Sequence, residues 1–294
     1  MTALAPRRRA VGRRPGGALL AFAFLCGPAL ADQGSPANGV LRVCADPNNM
    51  PFSNAQEEGF ENRLAGLVGA SLGVKVEYTW WAQRRGFIRS TLKAGDCDVI
   101  IGVPALLDMV ETTRSYYAST YVFVSRADRH IDVASIIDAR LQSLKIGVQL
   151  VGDNGFNTPP AHAIAAQGLS ANVTGYTLYG DYEDANPPAQ IVTAVINGEV
   201  DIAAVWGPLA GWVARRSDVA LTVLPIVNSE VFTGLKFRFD IAMGVRKGDH
   251  ALRDRLDMVI ARQQPAITEL LRSYGVPLVD RAGLPTTPAS ATAP

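Results

Sequence analysis

What this chain lacks narrows its function first. It has three histidines, His130, His162 and His250, and none stands near a carboxylate or cysteine at metal-ligand spacing. There is no Gly-x-Ser-x-Gly elbow, P-loop or dinucleotide fingerprint. Gly152-Asp-Asn-Gly155 carries glycines but is too short to indicate phosphate binding. Beyond the first thirty residues no apolar run approaches the roughly 20 residues that a bilayer requires, so no membrane span is expected. Neither sign of charge dominates, with 28 basic and 27 acidic residues. These absences leave no support for metal, nucleophilic or nucleotide-dependent catalysis, and the expectation is a protein that is not an enzyme.

What is present begins with an export signal. Arg7, Arg8, Arg9, Arg13 and Arg14 form a basic head, Ala18 to Cys26 is apolar, and Ala29-Leu30-Ala31 offers small residues to a signal peptidase. The apolar stretch is too short for an anchor and stops at Gly27 and Pro28. Cleavage after Ala31 is expected, with delivery to the periplasm. Cys26 lacks the small neighbour of a lipoprotein signal, and Arg13-Arg14 leaves the Sec or Tat route open. Removing the five arginines leaves 23 basic residues against 27 acidic, a net charge of −4. A mildly acidic protein is a poor ligand for nucleic acid, which rewards clustered positive charge. Two cysteines remain, Cys44 and Cys97. An even pair in an oxidising compartment suggests a disulfide. Two separately buried thiols are the alternative, and the placement of Cys44 late in one strand and Cys97 at the start of another makes a direct bridge awkward.

The chain repeats its own pattern once. Leu41-Arg-Val-Cys-Ala-Asp46 is echoed by Leu144-Lys-Ile-Gly-Val-Gln149, and Lys93-Ala-Gly-Asp-Cys-Asp-Val-Ile-Ile101 by Ile196-Asn-Gly-Glu-Val-Asp-Ile-Ala-Ala204. The offset is 103 both from Leu41 to Leu144 and from Gly95 to Gly198. Two similarly built lobes follow, each reading β-α-β-α-β. In the first, strands are expected at 40–45, 74–81 and 99–103, with helices at 60–72 and 86–94. In the second, strands are expected at 144–150, 173–179 and 201–206, with helices at 161–167 and 190–197. Tyr121 to Val124 reads as the way out of the first lobe and Leu221 to Ile226 as the return. A strand from Ile241 and a helix through Leu252, Leu256, Val259 and Ile260 follow, and Pro265 is expected to break or kink that helix. Strands alternating with helices imply an α/β fold with mostly parallel sheets flanked by helices. The boundaries read as a signal over 1–31, a first lobe over 38–122 and 227–284, a second over 123–226, and a disordered Pro/Ala/Thr tail over 285–294.

In open α/β sheets ligands sit beyond the carboxyl ends of the strands. That rule selects Asp46, Asn48 and Asn49, then Trp81, Gln83, Arg84 and Arg85, then Val103 and Pro104. From the second lobe it selects Gln149, Asp153 and Asn154, then Asp181, then Trp206. Arg84 and Arg85 open a short helix, where the dipole prefers acids. They are expected to answer to an anion, an acid across the cleft or an acidic partner. Glu61 could face the cleft as a general acid, as in dehydratases of two-lobed form, but no neighbouring residue sets its environment apart.

Several segments together resemble a known family. They are Leu41-Arg-Val-Cys-Ala-Asp-Pro-Asn-Asn-Met-Pro-Phe-Ser53, Gly59-Phe-Glu-Asn-Arg63, Gln83-Arg-Arg-Gly-Phe87 and Cys97-Asp-Val-Ile-Ile-Gly-Val-Pro104. Thr112-Thr-Arg-Ser-Tyr-Tyr117, Ser119-Thr-Tyr-Val-Phe-Val124 and Phe239-Asp-Ile-Ala-Met-Gly-Val-Arg-Lys-Gly248 add to them. The combination is similar to the J proteins of bacterial methanol oxidation (MxaJ/XoxJ). The resemblance implies a periplasmic binding protein type 2-like fold with a two-segment hinge. It also implies an accessory role toward a periplasmic PQQ-dependent methanol dehydrogenase, with that enzyme's cytochrome c as a further partner. No cofactor is expected on this chain; PQQ and a calcium or lanthanide ion would belong to the enzyme. The alternative is a receptor that hands a small polar or anionic solute to an ABC importer. Amino-acid receptors of this class hold the α-carboxylate with an arginine after the third strand and the ammonium with an acid after the later second-lobe strand. Here those places read Gly102-Val-Pro-Ala-Leu-Leu-Asp-Met109 and Ala204-Val-Trp-Gly207, so both ionic anchors are missing.

Overall fold

The computed structural model describes residues 39–151, 157–178, 185–280, 283, 285 and 286. The expected signal and most of the tail lie outside them. The first half opens with β1 (Val40–Ala45), a small hairpin of β2 (Asn48–Asn49) and β3 (Ser53–Asn54), and α1 (Phe60–Leu72). Helix α1 forms because Phe60, Leu64, Ala65 and Val68 share one buried face. It stops at Gly73, whose φ of 68° suits glycine and whose N–H donates to the Ala70 carbonyl. Then come β4 (Lys75–Trp80), a single turn α2 (Phe87–Ser90), and β5 (Val99–Pro104). The second half repeats the order with β8 (Ile146–Leu150), α3 (Pro159–Ala166), β9 (Val173–Thr177), α4 (Gln190–Ile196) and β10 (Ile202–Trp206).

The repeat seen in the sequence is a repeat of one clasp. Asp98 donates its N–H to the Arg42 carbonyl (2.7 Å) while its Oδ2 accepts the Arg42 N–H (3.1 Å). Asp201 does the same to Lys145, at 2.9 Å in both directions. Each aspartate thus fastens the third strand of its half to the first. The turn before it is made by a glycine in the left-handed region, Gly95 at φ 88° and Gly198 at φ 75°. Asp98 carries more, accepting also from Arg42 Nη2 (2.6 Å) and Arg246 Nη2 (3.1 Å). Burial alone would raise its pKa, but the hydrogen bonds from Arg42 and Arg246 outweigh burial and hold it below the ordinary carboxylate value.

The two halves share one strand. Strand β7 (Tyr117–Arg126) pairs antiparallel over Tyr117–Thr120 with β12 (Arg238–Val245). Over its remainder it pairs antiparallel with β10 on one side and with β11 (Leu221–Pro225) on the other. The strand order is β4-β1-β5-β12-β7-β10-β8-β9, with β11 on β7 and the two-residue β6 (Glu111–Thr112) on β12. Strands β4, β1 and β5 run parallel, as do β9, β8 and β10, while β12, β7 and β11 pair antiparallel. The result is the expected α/β architecture with a mixed sheet.

Four details differ from the sequence reading. Leu221–Pro225 is not the return but a half-buried edge strand of the second half, where a terminal proline is tolerated. The return lies at Phe237, whose carbonyl accepts from Tyr121 N and Thr120 Oγ1. Phe232, Leu235 and Phe237 pack into the second half's core. The helix expected over 86–94 shrinks to Phe87–Ser90, because Thr91 is buried and turns its hydroxyl onto the Phe87 carbonyl. Pro265 does not interrupt α6 (His250–Ser273). Pro265 and Ala261 are both exposed, so water can serve the carbonyl that loses its donor, while Ile260 and Ile267 stay buried on the inner face. Finally, α5 (Gly207–Ala214), begun by Pro208, was not read from the sequence.

Cys44 and Cys97 are bridged, with Cα atoms 5.5 Å apart. The sequence reading had found the placement awkward. The chain turns inward at Asp96-Cys97 just before β5, which brings Cys97 diagonally under β1 beside Phe87, Leu92 and Ile100. Closing a 53-residue separation restricts the unfolded chain by about 4 kcal/mol in the chain-entropy account. The protein lacking residues 1–31 should therefore titrate no free thiol when denatured without reductant. A Cys44→Ser/Cys97→Ser double variant should unfold at clearly lower denaturant. Two titrating thiols, or an unchanged midpoint, would refute the bridge.

Candidate functional site

The carboxyl ends of β1, β4 and β5 and the inner face of the shared strands enclose a cavity of ≈ 320 Å³. Its walls are mainly apolar and aromatic: Phe52, Tyr117, Tyr121, Trp206 and Phe239, with Val103, Pro104, Leu178 and Ile241 between them. The rings brace one another edge to face. Tyr121 and Trp206 have centroids 5.2 Å apart, and Trp206 and Phe239 5.8 Å. Asn49 and Gln83 are the neutral polar members and bond each other, Nδ2 to Oε1, at 3.0 Å.

Among the described residues that line it, Glu61 is the only charged one. It sits in the first turn of α1 and its carboxyl lies over Gly102 of β5, where a Cβ would fall 2.0 Å from Oε1. A glycine at 102 is what leaves room for the acid. Its carboxyl makes no hydrogen bond with any described residue and meets no cation. Desolvation, with a smaller contribution from the negative Asp46, raises its pKa to about 8. Nothing in the sequence around Glu61 announced this, because the environment is supplied by β5 and β7.

The other sequence-selected residues divide. Asn49, Glu61, Gln83, Val103, Pro104 and Trp206 do line the cavity. Asp46 lies behind it: Oδ1 accepts Asn48 N (2.8 Å) and Oδ2 accepts Gln83 N (2.6 Å), so it ties the β1 and β4 loops together. Asn48 reaches across the cleft, its Oδ1 accepting Asn186 N at 3.3 Å. Gln149 is buried in the second half, and its side-chain amide has no hydrogen-bond partner among the described residues. Trp81 is 46% exposed and, with exposed Arg84 and Arg85, stands outside the cavity on the rim loop after β4. Asp153, Asn154 and Asp181 lie outside the described residues. The sequence reading missed Phe52, Tyr117, Tyr121, Leu178 and Phe239. Tyr117 and Tyr121 stand four apart, and Phe239 and Ile241 two apart, the spacing of one strand face. That signal was present, but Tyr121 read as the way out of the first lobe and Ile241 as the start of a strand, and neither as wall.

The pattern of the bacterial extracellular solute-binding proteins, family 3, matches residues 41–275. The chain belongs to that family. This solute-binding-family member is also homologous to two proteins called MoxJ. It is 32% identical over 284 residues to that of Methylorubrum extorquens AM1, covering 89% of this chain and 92% of that one. With MoxJ of Paracoccus denitrificans it shares 28% over 281 residues, covering 90% and 96%. Among solved structures, periplasmic binding protein XoxJ from Methylobacterium extorquens AM1 superposes with a TM-score of 0.67 at 33% identity, over 82% of this chain and all of that one. MxaJ from Methlophaga aminisulfidivorans MPT gives 0.67 at 24%, over 81% and 100%, and supports the fold alone. Among the described residues no helix is long and apolar enough to cross a membrane, and no group of three His, Cys, Asp or Glu could hold a metal ion.

Glu61 makes stability depend on pH in a direction opposite to most carboxylates. Its folded pKa of about 8 exceeds the ordinary 4.5, so the folded state holds an extra proton between those values. Stability therefore falls as pH rises from about 4.5 and levels off above about 8. Glu61→Gln should remove this slope and gain a few kcal/mol over the parent at alkaline pH, an upper bound because the carboxyl is only half-buried. Denaturant melts of both proteins across that range check it; parallel pH profiles would show that Glu61 titrates normally.

Proposed function

We propose that this family 3 protein is a periplasmic accessory of a PQQ-dependent methanol (alcohol) dehydrogenase and assists that enzyme's maturation or activation. The observation that carries the reading is the relation to MoxJ along nearly the whole chain, at 32% identity. The missing ionic anchors fit it: neither the loop after β5 nor the end of β10 carries the charged group that an amino acid would need. On this reading the chain performs no catalysis and binds neither nucleic acid nor PQQ. The enzyme brings PQQ and its calcium or lanthanide ion, and the enzyme's cytochrome c is a further partner.

The rim of the cleft suits docking. An exposed Trp81 is flanked by exposed Arg84, Arg85 and Arg89, and the Arg84 side chain engages no described residue. Tryptophan and arginine are the side chains that most often dominate interface energies, and arginine pairs well with surface carboxylates. The alternative reading, a solute receptor for an ABC importer, draws on the family and on the cavity.

Calorimetric titration of the protein lacking residues 1–31 into purified PQQ-dependent methanol dehydrogenase should give saturable heat. Trp81→Ala and Arg84→Ala should each weaken binding about tenfold or more, equal to about 1.4 kcal/mol. Absence of heat together with absence of co-elution contradicts the accessory reading. Binding untouched by either variant places the contact elsewhere.

A further inference from the structure

We propose that the cleft is a binding site for a small alkylated ammonium ion that carries no carboxylate of its own. Its alkyl groups rest on the rings of Phe52, Tyr117, Tyr121, Trp206 and Phe239, and its charge faces Glu61. The proposal is independent of docking at the rim, since neither Trp81 nor Arg84 lines the cavity.

Three observations converge on that chemistry. The first is the sign of charge. Among the described residues Glu61 is the only ionisable acid or base on the wall apart from the tyrosine hydroxyls, and no described Lys, Arg or His lines the cavity. An anion would face Glu61 with Asp46 behind it and meet no counter-charge. The second is the wall itself. Five aromatic residues around one space supply ring faces of negative potential, which is how proteins hold substituted ammonium ions when hydration is stripped away. The third is the unmet need of Glu61, whose carboxyl has no hydrogen bond or ion pair among the described residues although it lies against Gly102 on the wall of the cavity. Asn49 and Gln83, the neutral amides of the wall, bond each other rather than Glu61. Among the described lining residues no cationic group stands ready to receive a ligand carboxylate, which separates this site from one built for free amino acids.

Binding must be coupled to a proton. The groups that sense Glu61 are Asp46 behind β1, Tyr78 on β4, Tyr116 just before β7 and Tyr117 at its start, and none is a cation. Without a ligand Glu61 is mostly protonated at neutral pH. An arriving ammonium ion favours the carboxylate, so the proton leaves as the ion enters. Affinity should rise about tenfold per pH unit below about 8 and flatten above it.

The test is calorimetry of the protein lacking residues 1–31 with tetramethylammonium chloride at about pH 6.5, 8 and 9.5, in two buffers of different ionisation enthalpy. The expected result is saturable binding that tightens at least tenfold from the lowest to the highest pH, with release of close to one proton at the lowest. Glu61→Gln, checked for folding by its thermal melt, should lose at least tenfold in affinity. Phe239→Leu should lose severalfold and keep the pH dependence. tert-Butanol, the uncharged counterpart, L-arginine and acetate should bind much more weakly. No heat with tetramethylammonium at the highest pH overturns the proposal, as does pH-independent binding, equal binding by Glu61→Gln, or equal binding of tert-butanol. If Glu61→Gln fails to fold, the proton count and the pH dependence of the parent protein still decide between these outcomes.

Discussion

The continuity of β7 is the constraint on which the rest of the structure depends. Its first part closes the sheet of one half through β12, and its second part sits at the centre of the other, between β10 and β11. The crossing point must satisfy backbone and hydroxyl groups that neither sheet can reach alone. Ser119 and Thr120 do so by donating to the carbonyls of Pro277 and Phe237, each more than a hundred residues away in sequence. With both halves hung from one strand, the side chains on its inner face become the back wall of whatever lies between them. That is why Tyr117 and Tyr121, rather than loop residues alone, line the cavity.

A second consequence concerns Glu61. In most α/β clefts an acid beyond the strand ends is reached by water or paired with a base. Here α1 carries the acid into the space left by Gly102, under aromatic rings, and the nearest other carboxylate is fully engaged with Asn48 and Gln83. The protein retains an acid that would be more comfortable as glutamine for folding alone. A residue that costs stability and contributes no contact to the fold is understandable where a ligand meets it.

Much of the fold was legible in the sequence, because its signals are local. The 103-residue repeat is carried by glycine stops and by an aspartate that clasps the first strand of each half, features that need only neighbouring residues to be read. The helix over 60–72 and the buried run at 99–103 were equally plain. What escaped was set by distant partners. Ala118, Ser119 and Thr120 look like loop residues until Pro277 and Phe237 are brought to them. Asp46 reads as a cleft carboxylate, but two backbone N–H groups occupy it. Arg84 and Arg85 were drawn toward the cavity by their position after β4, yet they stand on the rim because Gln83 turns inward in their place.

The most direct test of this account is the ionisation of Glu61 itself, followed by the carboxyl carbon resonance of the labelled protein as pH is raised. The account predicts a midpoint of about 8, displaced from the ordinary 4.5 by burial and by Asp46. A midpoint near the ordinary value would mean that water or a counter-charge reaches the carboxyl, and the cleft would then not hold the desolvated acid among aromatic rings described above.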